Sequence, residues 1–179
     1  MSVDPDYAEI VCIGIKRVGT EFKEGKCYKL EEMEEWFNTN ILEERGSSKV
    51  LKQNITIITF NGRTFDLPLL LKAGLKKGLK LPYNLINNNC IRSKSPNFAY
   101  TTEPDRNLIR HIDLIEIIGG MSVQNRKSLD DYLQIYCGIE KKTKGDEFFS
   151  TATDEELKQH CLDDLVQTEM IYNKFKKFI

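Results

Sequence analysis

The run Ile55-Thr56-Ile57-Ile58-Thr59-Phe60 constrains the fold more than any other stretch of this sequence. β-Branched side chains lose rotamer freedom in a helix and pack well on a pleated surface, so a strand is expected here. Asn61 and Gly62 follow directly and supply the backbone freedom of a tight turn. Leu67 to Lys77 then carries Leu70, Leu71 and Leu75 at helical spacing, with Pro68 tolerated in the first turn. A strand that turns into a helix in this way is the repeating step of an α/β domain. Its turn residues sit at the strand's carboxyl end, the edge where open α/β sheets bind ligands.

The rest of the chain agrees with that class. Ile10 to Ile15 reads as a short strand, with Lys26 to Leu30 as a hairpin partner across the turn flanked by Gly19 and Gly25. Glu31 to Glu44 reads as one helix with Met33, Trp36, Phe37 and Ile41 on its apolar stripe, stopped by Gly46-Ser47-Ser48. The segment from Pro82 to Asp105 is a long polar loop, and Ile109 to Ile117 reads as a strand. Ser128-x-x-Asp131 and Thr153-x-x-Glu156 resemble capping boxes and open two helices, the first closed by Gly138. With 179 residues and no linker or repeat, a single domain over residues 1–179 is expected.

Charge and cysteines narrow the function classes. Lys and Arg number 26 against 27 Asp and Glu, so the strongly basic footprint of a duplex-DNA binder is missing. No apolar run is long enough to span a bilayer. The five cysteines fall at 12, 27, 90, 137 and 161, none two to four residues from another, with only His111 and His160 beside them. That spacing argues against a structural zinc site, and the odd count reads as reduced thiols in a cytoplasmic protein. Cys12, inside an apolar run, is expected to behave as a small buried hydrophobe.

Two clusters carry candidate chemistry. Asp66 opens a helix just past a strand end. Read alone, it is first of all a helix cap. His160 and Asp164 lie four apart on the last expected helix, which puts both side chains on one face. Read alone, they are a surface pair of little consequence. A carboxylate beside an imidazole nevertheless has the parts to hold a divalent metal and move a proton. Asp163 lies about 100° around the same helix and is expected to face solvent.

Taken in order, these motifs resemble the DEDD superfamily of 3′–5′ exonucleases, and within it the DnaQ-like, ribonuclease-H-fold group related to the proofreading domain of B-family DNA polymerases. The stretch Thr59-Phe60-Asn61-Gly62-Arg63-Thr64-Phe65-Asp66-Leu67-Pro68-Leu69-Leu70 looks like the second exonuclease motif, and Cys161-x-x-Asp164-x-x-x-Thr168 looks like the third. His111-Ile112-Asp113-Leu114, Ser128-Leu129-Asp130 and Lys144-Gly145-Asp146 are similar to further landmarks. The resemblance implies a ribonuclease-H-like mixed β-sheet with helices on both faces. It also implies a metal-dependent exonuclease acting on single-stranded DNA or RNA 3′ ends with Mg²⁺ or Mn²⁺. Asp66 and Asp164 would be metal ligands. His160 would stand where members with this four-residue spacing usually carry a tyrosine, orienting or deprotonating water. Asn61, Phe65 and Lys144 are the expected nucleic-acid contacts, Phe65 by stacking on a base and Lys144 from the basic loop Lys141-Lys142-Thr143-Lys144.

One motif departs from the pattern. The family's first motif is Asp-x-Glu on a central strand. Here only Asp4-Pro5-Asp6 has that spacing, without a strand before it and with a proline unsuited to a central ladder. Three expectations follow. The missing carboxylates lie upstream of Met1. Alternatively, a partner chain or strand-swapped oligomer supplies them. Otherwise, the chain is a catalytically silent nucleic-acid-binding or assembly domain with the exonuclease fold.

Overall fold

The computed structural model describes residues 9–21, 24–46, 48–52, 55–81, 110–119, 126–140 and 146–179. Asp4, Asp6, the loop from Pro82 to Asp105, and Lys141 to Lys144 lie outside them. Helices and three small sheets alternate along the described chain, which makes the protein mixed α/β. It divides into two compact units, one over Leu30–Asp113 and the other built from Ile10–Lys29 and Leu114–Ile179.

In the first unit a 3-10 turn at Leu30–Glu32 leads into α1 (Met33–Asn40). Met33, Phe37 and Ile41 are all buried, as their helical spacing requires, and Trp36 meets Phe37 edge-on with ring centroids 5.2 Å apart. The helix ends sooner than the sequence suggests. Leu42–Arg45 is β3, paired antiparallel with β4 (Ser48–Leu51), and Gly46 turns the chain at φ 63° rather than capping a helix. Glu43 and Glu44 favour helices in isolation, but pairing with the next segment prevails. β5 (Thr56–Thr59) then lies parallel to β6 (Arg110–Asp113), with Thr59 opposite Asp113. Between them α2 (Asp66–Lys76) buries Leu70, while Leu75 is 64% exposed and does not join the core that its spacing suggested.

In the second unit β1 (Ile13–Ile15) and β2 (Lys26–Tyr28) form the expected antiparallel hairpin. The strand expected to run from Ile109 to Ile117 ends at Asp113. From Leu114 to Gly119 the chain is helical, as α3, which buries Leu114 and Ile115. Three isoleucines in six residues signal a strand locally, yet the segment is helical and buries Leu114 and Ile115. α4 (Leu129–Cys137) starts at a complete Ser128/Asp131 capping box and ends on Gly138 at φ 68°, as expected. α5 (Asp146–Thr151) has no counterpart in the sequence reading. α6 (Asp154–Phe175) starts at the Thr153/Glu156 capping box. Tyr136 meets Phe175 edge-on at 4.9 Å, joining α4 to α6, and Ile171 is fully buried.

One face of α6 receives β1. A Cβ at Gly14 would lie 2.5 Å from Cys161 Sγ and 3.1 Å from Leu165 Cδ1, so the strand approaches the helix only because Gly14 has no side chain. One turn further on, Lys16 Nζ meets Glu169 Oε2 at 2.5 Å and donates to the Thr20 carbonyl at 2.6 Å. Gly19 N–H donates to the other Glu169 oxygen at 2.6 Å. Burial pushes the Glu169 carboxyl up. The Lys16 ammonium, the Gly19 N–H and Lys176 outweigh it and hold the group below its usual range.

Candidate active site

The turn after β5 is held by a buried carboxylate. Asp113, fully buried at the end of β6, accepts the Asn61 N–H at 2.7 Å on Oδ1 and the Arg63 N–H at 2.8 Å on Oδ2. Asn61 has φ 64°, a left-handed conformation that asparagine tolerates better than most residues. Its side-chain oxygen accepts the Thr64 hydroxyl at 2.5 Å, and its carbonyl accepts Phe65 N–H at 3.1 Å. Gly62 is required for steric reasons, since a Cβ there would lie 2.5 Å from the Thr59 Cβ. The sequence shows Asp113 only as part of a weak landmark. Its role as the anchor of this turn follows from the parallel pairing of β5 with β6.

A second polar contact sits beneath that turn. Thr59 Oγ1 lies 2.8 Å from His111 Nε2, and Arg63 Nη2 reaches the His111 carbonyl at 3.4 Å. His111 is 4% exposed. Burial, and then the Arg63 guanidinium, bring its pKa from 6.5 down to about 4, so the imidazole is neutral at physiological pH. Its chemistry is therefore structural hydrogen bonding inside the unit.

The expected site residues of this unit sit above that scaffold. Phe65 is half-buried and immediately precedes α2. Asp66 is exposed and is the first helical residue rather than the cap, which is Phe65 and makes no side-chain cap bond. A carboxylate in the first turn is favoured by the helix dipole. Asn61 makes the local contacts described above.

In the second unit His160 and Asp164 occupy one face of α6, as their spacing requires. His160 Nε2 is 3.8 Å from Asp164 Oδ2, with the side chains 26% and 48% exposed. Two rings of α5 flank the imidazole: Phe148 edge-on at 5.7 Å and Phe149 tilted at 5.4 Å. The short helix α5, missed in the sequence reading, thus supplies the walls around His160. Asp163 is drawn aside by Gln159, whose Nε2 donates to it at 2.9 Å. Lys144 lies outside the described residues.

Carboxylate oxygens suit a hard cation such as Mg²⁺ or Mn²⁺. Among the described residues, no three carboxylate or imidazole donors are gathered within either unit. Among the described residues, the only three metal-ligating side chains found gathered together are Cys12, Cys27 and Cys161, which are sulfur donors.

A parallel β5–turn–α2 step with an exposed acid at its helix start in one unit, and a histidine–aspartate pair on a long helix in the other, define an α/β protein. Over residues 5–179 the chain matches the family described as a predicted 3′–5′ exonuclease related to the exonuclease domain of PolB, and it belongs to that family. A search of curated proteins returns no match. No helix among the described residues is long and apolar enough to cross a membrane.

Proposed function

We propose that this chain is a metal-dependent 3′–5′ exonuclease domain of ribonuclease-H-like fold that removes nucleoside monophosphates from single-stranded nucleic-acid ends. The observation that carries the reading is the His160–Asp164 pair, held on one face of α6 in a chain that matches an exonuclease family along almost its whole length. Asp66 and Asp164 would hold Mg²⁺ or Mn²⁺, and the remaining ligands would come from outside the described residues. Such ions, when bound, activate water and stabilise the leaving oxygen.

The protein's own groups have separate tasks. His160 orients the attacking water and takes its proton as the water oxygen bonds to phosphorus and the bond to the departing 3′ oxygen breaks. Phe148 and Phe149 restrict the imidazole to a narrow range of orientations, which lowers the cost of alignment. Phe65 stacks on a terminal base, and Asn61 and Lys144 contact the strand. The Asp113-anchored turn keeps Phe65 and Asp66 at a fixed position on their unit.

A second reading, a catalytically silent nucleic-acid-binding domain, draws on the shortage of gathered oxygen donors among the described residues. A digestion time course separates the two. The full chain is incubated with 5′-labelled single-stranded DNA and RNA and Mn²⁺, beside Asp66→Ala and Asp164→Ala. The exonuclease reading expects a ladder shortening from the 3′ end that both variants lose. Salt-sensitive binding by a folded wild type that leaves every strand intact would establish the silent reading instead.

A further inference from the structure

Three cysteines far apart in the sequence meet inside the second unit. Cys12 precedes β1, Cys27 is the middle residue of β2, and Cys161 lies on α6, yet their sulfurs are all within 4.8 Å of one another. Each is half-buried and none is in a disulfide. Cys27 Sγ also faces the Lys158 carbonyl at 3.6 Å. The missing side chain at Gly14 leaves Cys161 room to join the group.

We propose that Cys12, Cys27 and Cys161 form a three-thiolate site for Zn²⁺, with water completing a tetrahedron. Zinc–sulfur bonds of about 2.3 Å put tetrahedral sulfurs about 3.8 Å apart, so the group needs only a small contraction around an ion. The donors are all sulfur, which selects a thiophilic ion and rejects Mg²⁺ and Ca²⁺. This site is therefore chemically distinct from the carboxylates of the exonuclease reading and does not depend on it. Half-burial leaves solvent access for the fourth ligand. Bound there, the ion ties the β1–β2 hairpin to α6.

Burial and the neighbouring sulfurs raise the Cys161 thiol well above its usual range, and burial with Cys12 raises the Cys27 thiol. Zinc is held by thiolates, so metal entry displaces thiol protons.

The test uses the full chain, metal-stripped and kept reduced with a phosphine under argon, titrated with Co²⁺. The expected result is a thiolate-to-cobalt charge-transfer band that saturates at one metal per chain and collapses when Zn²⁺ is added. Cys12→Ser, Cys27→Ser and Cys161→Ser should each remove one thiolate's share of the band, while Cys137→Ser leaves it unchanged. Gly14→Ala keeps every sulfur but crowds Cys161, and should weaken Co²⁺ binding at least tenfold. Circular dichroism checks that each variant is folded. A folded wild type that develops no charge-transfer band, or a band indifferent to all three substitutions, would overturn the site. So would a band equally tight in Gly14→Ala.

Discussion

Two carboxylate–histidine settings occur in this protein, and they are built in opposite ways. Asp113 and His111 are buried at the end of β6, where Asp113 accepts two backbone N–H groups and His111 faces a threonine hydroxyl. Asp164 and His160 stand partly exposed on α6, 3.8 Å apart and bounded by aromatic rings. The first pair is engaged inside its unit, Asp113 with backbone N–H groups and His111 with a side-chain hydroxyl, and is a scaffold. The second is partly open to solvent, its side chains 26% and 48% exposed. The same residue types thus differ in role through burial and partners alone.

The sharpest way to break this comparison is to delete each carboxylate. Asp113→Ala leaves two partly buried N–H donors unmatched and opens a void where a fully buried side chain stood, and should cost roughly 3 kcal/mol of stability in urea unfolding. If Asp164→Ala costs as much, the division into scaffold and site is mistaken.

The buried histidine gives a nearly equal effect through pH. The folded pKa of His111, about 4, lies below its ordinary 6.5. As pH falls, the unfolded chain therefore takes up this proton first. The stability is fully present above 6.5 and is lost progressively down to about 4, by roughly 3 kcal/mol. Urea midpoints measured across that window should slope for the wild type and flatten in His111→Gln. An unchanged slope in the variant would assign the dependence to other groups.

Gly62→Ala sharpens the steric side of the scaffold. The new methyl would collide with the Thr59 Cβ, at the root of the side chain that meets His111. A loss of about 1–3 kcal/mol is expected, read as a lowered thermal midpoint. The smallest effect belongs to the exposed pair. Asp164→Asn and His160→Gln should each change stability by less than about 1 kcal/mol, because a partly exposed pair 3.8 Å apart contributes little. Equilibrium unfolding of both variants beside the digestion assay would show whether function and stability separate there.

How much of this was legible in the sequence depended on how local the cause was. β5 and both capping boxes were readable because β-branched runs and Ser/Thr caps act within a few residues. The shared face of His160 and Asp164 follows from helix geometry alone. Leu42–Arg45 was misread because its helix-favouring residues are overruled by the partner strand after Gly46. Ile115 to Ile118 misled in the other direction, toward a strand. α5 escaped because it is a single short helix with no cap motif noticed. The three-cysteine group was argued against on spacing, and spacing measures only neighbours in the chain. A hairpin and a distant helix brought those sulfurs together, and no local pattern records that.

The order in which the chain supplies its parts has a consequence for folding. The scaffold of the first unit closes over separations of 48 to 52 residues, as in the contacts of His111 and Asp113 with Thr59 to Arg63. The hairpin of the second unit meets α6 only across 131 to 153 residues, through Cys27–Lys158 and Lys16–Glu169. During synthesis β1 and β2 therefore emerge long before α6 and wait for it before the face they turn to it is covered. Loop closure over such spans is slow, so the second unit should be the late-maturing one, with Lys16, Cys12 and Cys27 open to solvent and oxidants until α6 arrives.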